Sequence, residues 1–152
     1  NIDDENDVLI MRGECNIGIA TDTEQGLIVP VLKEADRLSM LEVAQEIARL
    51  SAAAKDRKLS VAELRGGTFT ITSAGSIGGL FATPIINYPE VAILGVHKIK
   101  ERPIIKDGEI TKGQIMYLSL SLDHRVIDGA DAAHFMNKVI SYLENPKRLL
   151  LE

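Results

Sequence analysis

Cysteine, basic charge and long apolar runs are scarce in this 152-residue chain. A single cysteine, Cys15, leaves no internal disulfide and points to a reducing compartment. Lys and Arg number 17 against 22 Asp and Glu, for a net charge of −5. That balance argues against a nucleic-acid or anionic-membrane surface, which needs clustered cations. The basic clusters Lys55-Asp56-Arg57-Lys58 and Lys147-Arg148 are short and read as solvated helix ends. No apolar run approaches the ~20 residues of a membrane helix, and no basic n-region with an apolar h-region opens the sequence. A zinc site lacks support, since there is neither a second cysteine nor a His-Glu-x-x-His helix.

What is present is ordinary globular chemistry, 45% hydrophobic and 26% charged residues, in a length that suits one domain or part of one. The chain opens on Asn1, and Asn1-Ile2-Asp3-Asp4-Glu5-Asn6 reads as a turn between elements, so an N-terminal part of the domain is expected to be missing. Val8–Met11 is a short apolar run. Asn16–Thr21 and Leu27–Leu32 read as adjacent strands joined by a hairpin turn at Asp22–Gly26. Pro30 cannot donate to a ladder and marks its strand as an edge or a bulge.

Ser39-Met40-Leu41-Glu42 and Ser60-Val61-Ala62-Glu63 are capping boxes. The first opens a helix running to about Lys55, with an apolar stripe of Leu41, Ala44, Ile47, Ala48 and Leu50 or Ser51. The second opens a short helix that stops before Gly66-Gly67. Thr68–Thr72 alternates as a strand, and Gly75, Gly78 and Gly79 form a flexible loop. Val91–Val96 reads as a strand buried on both faces, Asp107-Gly108 as a hairpin turn, and Ile115–Leu122 as a further strand. A last helix starts near Asp128 or Asp131, carries Ala132, Phe135, Met136, Val139, Ile140 and Leu143 on one face, and stops at Asn145-Pro146. The mixture predicts an α/β fold, a mixed sheet with packed helices.

Chemistry concentrates in Leu120-Ser121-Leu122-Asp123-His124-Arg125-Val126-Ile127-Asp128-Gly129-Ala130. A histidine closes an alternating apolar segment, and an aspartate follows four residues later. Histidine titrates near neutrality, so the pair reads as a general base with a supporting carboxylate. Alone, Asp128 also suits a helix N-cap. A second constellation, Gly66 to Gly79, places Thr72 and Ser73 at a strand end, where their hydroxyls can face a developing oxyanion or simply end the strand. Its glycines lack the Lys-Ser/Thr of a phosphate loop. His134 falls beside the apolar face of the last helix and is expected to be exposed. Cys15 has no cation nearer than Arg12 to activate it.

These constellations, in this order, resemble the catalytic domain of dihydrolipoyl acyltransferases, the core subunits of 2-oxo acid dehydrogenase complexes. The match runs through Asn16–Ala20, Gly26–Val31, Gly67–Thr72, Thr83–Asn87, Pro89–Gly95 and Asp123–Ala130. Chloramphenicol acetyltransferases are similar more remotely, sharing His-x-x-x-Asp-Gly. The resemblance implies a two-layer α/β sandwich that forms homotrimers, with active sites between subunits, and builds a larger hollow core, cubic or dodecahedral. It implies acyl transfer between a dihydrolipoyl-lysine and coenzyme A. The lipoate would sit on a lipoyl domain outside this chain. Partner subunits would be the 2-oxo acid dehydrogenase and dihydrolipoyl dehydrogenase, in the cytoplasm or, in a eukaryote, the mitochondrial matrix.

Matched residue by residue, His124 corresponds to the general base, Thr72 to the oxyanion donor supplied by a neighbouring subunit, and Asp128 to a site-ordering position. Asp22, Ser51, Ser73, Ser76, His97 and Ile99 correspond to coenzyme A contacts, although His97 stands where a small residue is expected in some members. The segments Thr72–Gly79 and Ser141–Pro146 lean toward a branched-chain or pyruvate type. Two rivals remain: a free-standing acyltransferase of the chloramphenicol acetyltransferase type with an alcohol acceptor, and a non-catalytic core scaffold. Scaffold paralogues typically lose the histidine that this chain keeps.

Overall fold

Residues 1–75 and 77–150 are described by the computed structural model, apart from the Leu150 side chain. Along the chain, β1 (Ile2–Asp3) and β2 (Val8–Leu9) form a small antiparallel ladder. The strands β3 (Ile17–Ile19), β4 (Thr21–Thr23), β5 (Gly26–Ile28) and β6 (Val31–Leu32) follow. Next come α1 (Met40–Lys55), β7 (Phe69–Ser73) and β8 (Ala92–Val96). The chain continues through β9 (Lys100–Lys106), β10 (Glu109–Ile115), β11 (Leu118–Leu122) and α2 (Gly129–Glu144).

A five-stranded sheet in the order β11-β8-β7-β3-β6 organises the fold. Its interior pairs β8·β7 and β7·β3 are parallel, and its outer pairs β11·β8 and β3·β6 are antiparallel. The mixed α/β architecture read from the sequence is therefore present. A parallel pair needs a long crossover, and the segment containing α1 supplies it between β3 and β7. The helix packs against β4 and β6. At the far side, α2 packs on β11, with Phe135 tilted against Phe69 at 5.7 Å between ring centroids.

Register separates the two faces of the sheet. Phe69, Ala92 and Leu120 line one cavity together with Phe135 of α2, so Leu118, Leu120 and Leu122 share the helix-covered side by period-2 alternation. Ser119 pairs with Gly95 and Ser121 with Ile93, while Thr70 pairs with Ile93 and Thr72 with Gly95. The opposite face therefore carries the hydroxyls of Thr70, Thr72, Ser119 and Ser121. The core sits on Leu32, Leu50, Val31, Ala54 and the β8 run Ala92, Ile93 and Leu94, all buried.

Both capping boxes form as read. Ser39 Oγ accepts from the Glu42 amide while the Glu42 carboxylate accepts from the Ser39 amide, and Ser60 and Glu63 repeat the exchange. The second opens only a 3₁₀ turn, Val61–Leu64.

Several expected boundaries move. Ile2–Asp3 is strand, not turn. The expected strand Leu27–Leu32 is divided at Pro30, whose carbonyl accepts from the Ile19 amide at 2.8 Å. That break leaves β6 at the sheet edge and β4–β5 as a separate hairpin. The expected strand Ile115–Leu122 is likewise two elements, since β10 pairs with β9 in a hairpin outside the main sheet.

The largest difference is on α1. Leu50 and Ala54 are buried and Val43 and Ile47 half-buried, whereas Leu41, Ala44 and Ala48 are exposed. Of the expected stripe, Ile47 and Leu50 do turn inward, and contact with β4 and β6 completes the buried face with Val43 and Ala54 in place of Leu41, Ala44 and Ala48. No residue of α2 is fully buried. No helix among the described residues is long and apolar enough to cross a membrane.

Candidate active site

His124 lies just beyond the end of β11, in a turn spanning residues 124–126. The sequence placed it on the strand end itself. Its side chain is exposed and makes no hydrogen bond among the described residues. What fixes the turn are its neighbours. The Asp123 amide donates to Val91 O at 2.8 Å, and Asp123 O accepts from the amides of Val126 and Ile127, each at 3.1 Å. The Asp123 carboxylate accepts from the Arg125 amide at 3.0 Å and from its guanidinium through both oxygens. These bonds to Arg125 hold the Asp123 carboxyl down at about 2.

Asp128 caps α2. Its Oδ1 accepts from the amides of Ala130 and Asp131 at 2.8 and 2.9 Å, which satisfies two of the free donors of the first turn. It makes no hydrogen bond to His124, so the carboxylate support read from the spacing is not formed in this chain. Gly129 opens the helix with no heavy atom near where a Cβ would be.

Thr72 stands on the hydroxyl-bearing face of β7 and lines a cavity of about 430 Å³. The walls are mostly apolar, including Val29, Ile86 and Ile93, with Thr70, Thr72, Asn87 and His97 as the polar side chains. His97 is 4% exposed. It shares a 2.9 Å hydrogen bond between Nε2 and Ser119 Oγ, and its Nδ1 has no partner among the described residues. Gly95 makes this possible, because a Cβ there would overlap Ser119 Oγ and lie 3.1 Å from His97 Nε2. Sequence reasoning missed Ser119. The signals were the Leu-Ser-Leu-Ser-Leu alternation of β11 and a glycine inside an apolar strand, which often marks a close approach.

The glycine-rich loop after Thr72 folds against His97. A Cβ at Gly75 would lie 3.1 Å from the His97 backbone, Gly79 O accepts from the Lys98 amide at 3.0 Å, and Gly78 has φ +101°. Close packing at Gly75 and Gly79 and the positive φ of Gly78 account for these glycines without a phosphate. Buried Glu90 accepts from Asn87 Nδ2 at 3.1 Å. Burial pushes its carboxyl up, against the opposing pull of Thr70 and Asn87.

The structure does not bring Thr72 and His124 together within the chain. Thr72 pairs with Gly95 near the C-terminal end of β8, whereas Leu122 pairs with Ala92 at its start, with His124 beyond. Three residues of strand separate those pairings, roughly 10 Å along the sheet before the lateral distance is added. Just after His124, Val126 and Ile127 border a different groove of about 480 Å³ with Met11, Cys15 and Phe69.

The remaining positions divide into two groups. Exposed Ser73, buried His97 and exposed Ile99 gather at the C-terminal ends of β7 and β8. Exposed Asp22 on β4 and half-buried Ser51 on α1 belong to elements that pack on each other. Ser76 lies outside the described residues. His134 is exposed, as expected, and so is Cys15. Among the described residues no group of His, Cys, Asp and Glu is arranged to hold a metal ion.

Residues 1–151 match the model of the family described as 2-oxoacid dehydrogenases acyltransferase (catalytic domain). The chain is 49% identical over all its 152 residues to the Bacillus subtilis dihydrolipoyllysine-residue acetyltransferase component of the pyruvate dehydrogenase complex, and covers 34% of that relative. It is 48% identical over 144 residues to the Bartonella vinsonii dihydrolipoyllysine-residue succinyltransferase component of the 2-oxoglutarate dehydrogenase complex, 95% of this chain and 35% of the relative. The chain thus spans about a third of the length of these curated relatives.

Among solved structures, the Azotobacter vinelandii dihydrolipoamide acetyltransferase superposes with a TM-score of 0.91 at 41% identity, covering 98% of this chain and 61% of the other. That structure concerns the role of a serine, a histidine and an asparagine in the catalytic mechanism. The cubic core of a pyruvate dehydrogenase multienzyme complex also superposes at 0.91, with 42% identity and the same coverage.

Proposed function

Because the chain belongs to the 2-oxoacid dehydrogenase acyltransferase catalytic-domain family, we propose that it transfers an acyl group between a dihydrolipoyl-lysine and coenzyme A. One observation carries the assignment of residues. The serine and histidine studied in the Azotobacter enzyme are separated in sequence as Thr72 and His124 are, and its histidine and asparagine as His124 and Asp128 are.

In this reading His124 takes the proton from the coenzyme A thiol, and the thiolate attacks the carbonyl of the acyl thioester. Thr72 donates its hydroxyl hydrogen to the oxyanion that forms. Collapse of the tetrahedral intermediate then expels the dihydrolipoyl sulfur, which recovers a proton. A base of this kind is worth ~10²–10⁴-fold and a single oxyanion donor ~10²–10³-fold. Asp128 holds the start of α2 and with it the backbone that follows His124.

Since Thr72 and His124 stand at opposite ends of β8, a working site pairs the His124 of one subunit with the Thr72 of the next. Ser73, His97 and Ile99, with Asp22 and Ser51, are the candidate coenzyme A contacts. Assembly into homotrimers and a larger hollow core, served by a lipoyl domain and by 2-oxo acid dehydrogenase and dihydrolipoyl dehydrogenase subunits, completes the reading. Exposed Ile85 and Leu27, which line the same cavity as Thr72, support burial against another subunit. The acyl group is assigned to the pyruvate or branched-chain class.

The test mixes the full-length subunit with dihydrolipoamide and acetyl-, isobutyryl- or succinyl-coenzyme A and follows thioester exchange. Activity that falls at least 100-fold in His124→Ala supports the base. Undiminished turnover refutes it.

A further inference from the structure

Arg125 follows the candidate base directly, and its geometry ties two distant parts of the chain. Its Nη2 and Nε reach the Asp123 carboxylate, with Nη2 2.5 Å from Oδ2, while Nη1 donates to Asp4 Oδ1 at 2.8 Å. Asp4 lies 121 residues away in sequence, in the turn between β1 and β2.

Both ends of this bridge are anchored. Asp3 Oδ1 accepts from the amides of Glu5 and Asn6, and the Asn6 side chain donates to Asp3 Oδ2 at 2.8 Å, which sets the turn around Asp4. The Ile2 amide donates to Pro89 O at 2.8 Å, and Asn1 Nδ2 donates to Gly67 O at 3.2 Å, which fixes β1 to the segments before β7 and β8. On the other side Asp123 is held to Val91 O. His124 is therefore the free residue between two clamped ones.

We propose that the Asp4–Arg125–Asp123 clamp is a positioning device that sets the direction in which the His124 turn presents its imidazole, with Asp4 supplying the long-range reference. It rests on the reading of His124 as the base. Asp123, tied to Val91 O, holds Arg125 to its own turn at the end of β11. Asp4 gives the same guanidinium a second, independent anchor on the β1–β2 turn. An exposed ion pair contributes little to stability, but a misplacement of about 1 Å at a reacting group can cost 10²-fold in rate. The clamp is thus expected to be nearly silent in folding and audible in kcat.

The experiment compares Asp4→Asn, Asp4→Glu, Arg125→Met, the double variant Asp4→Asn/Arg125→Met and His124→Ala in the full-length subunit. Each is measured for kcat, KM for both thiol substrates and thermal melting. We expect kcat to fall about tenfold or more in Asp4→Asn and Arg125→Met, with KM and melting near wild type. Asp4→Glu should recover part of the loss. The double variant should lose no more than the worse single, as coupled residues do.

Wild-type kcat in Asp4→Asn overturns the clamp, as does a rise in KM at constant kcat, which would make Arg125 a substrate contact. A loss of melting temperature in Asp4→Asn that tracks the loss of kcat also overturns it, in favour of a structural role. Loss of activity in His124→Ala with full activity in the clamp variants refutes the clamp and leaves the base intact. Full activity in His124→Ala refutes both.

Discussion

Replacing Gly95 by alanine tests whether His97 is held over the hydroxyl face of the sheet as described. The new Cβ would overlap Ser119 Oγ and stand 3.1 Å from His97 Nε2, so the 2.9 Å bond between them must open. His97 is 4% exposed, with Nδ1 unpaired among the described residues, and Ser119 is half-buried. Stranding a buried donor or acceptor costs about 1–3 kcal/mol, and overpacking a tight strand adds about 1–3 kcal/mol. The variant should lose about 2–6 kcal/mol in all. Urea unfolding followed by circular dichroism reads this as a fall in midpoint of about 1 M or more. Gly13→Ala, where nothing lies within 4 Å of the added Cβ, is the control and should leave the midpoint in place. A Gly95→Ala midpoint within 0.2 M of wild type (about 0.4 kcal/mol at a typical urea slope) would refute the argument, since it would mean that the strand and His97 relax freely.

Two further outcomes follow from burial. Leu50 is fully buried while Leu41 is 68% exposed on the same helix, so Leu50→Ala should cost about 2–5 kcal/mol in urea unfolding and Leu41→Ala little in the monomeric fold; the reverse order would mean that α1 is rotated. Burial raises the Glu90 carboxyl above its usual range, so the charged form opposes folding: stability falls as pH rises from 4.5 through the raised folded value and stays reduced above it. Glu90→Gln, with Thr70 and Asn87 beside it, should therefore melt higher than wild type at pH 7 and lose that advantage as pH falls toward 4.5, and an unchanged difference across that range would contradict the reasoning.

Local signals were legible because their physics is local. The capping boxes at Ser39 and Ser60 each involve residues three apart, and the alternation of β7, β8 and β11 follows from the pleat. The Pro30 break was foreseen as an edge or bulge because proline lacks a donor. The stripe on α1 was read in part: Ile47 and Leu50 face inward as expected, but Leu41, Ala44 and Ala48 satisfy the helical period about as well as Val43 and Ala54, and only contact with β4 and β6 decides between them. The split at Ile115–Leu118 was hidden for a similar reason: apolar residues continue across it while the pairing partner changes from β9 to β8.

At the site, composition and spacing found His124, Thr72 and Asp128 one by one, but the relation between them is tertiary. Asp128 takes the cap that its residue type allows, and its distance from the imidazole depends on where α2 begins. Gly95, Ser119 and His97 form a cluster across two strands, and only the glycine hinted at it. The Asp4–Arg125 bridge joins residues 121 positions apart, beyond the reach of any motif.

A site shared between subunits is proposed because Thr72 and His124 stand at opposite ends of β8. Full-length Thr72→Ala and His124→Ala subunits, each nearly inactive alone, would be dissociated, mixed and reassembled, and thioester exchange between acyl-coenzyme A and dihydrolipoamide measured against each parent. The account predicts that activity reappears in the hybrids, where an intact His124 meets an intact Thr72 from its neighbour. Hybrids that assemble fully yet remain as inactive as their parents would contradict it.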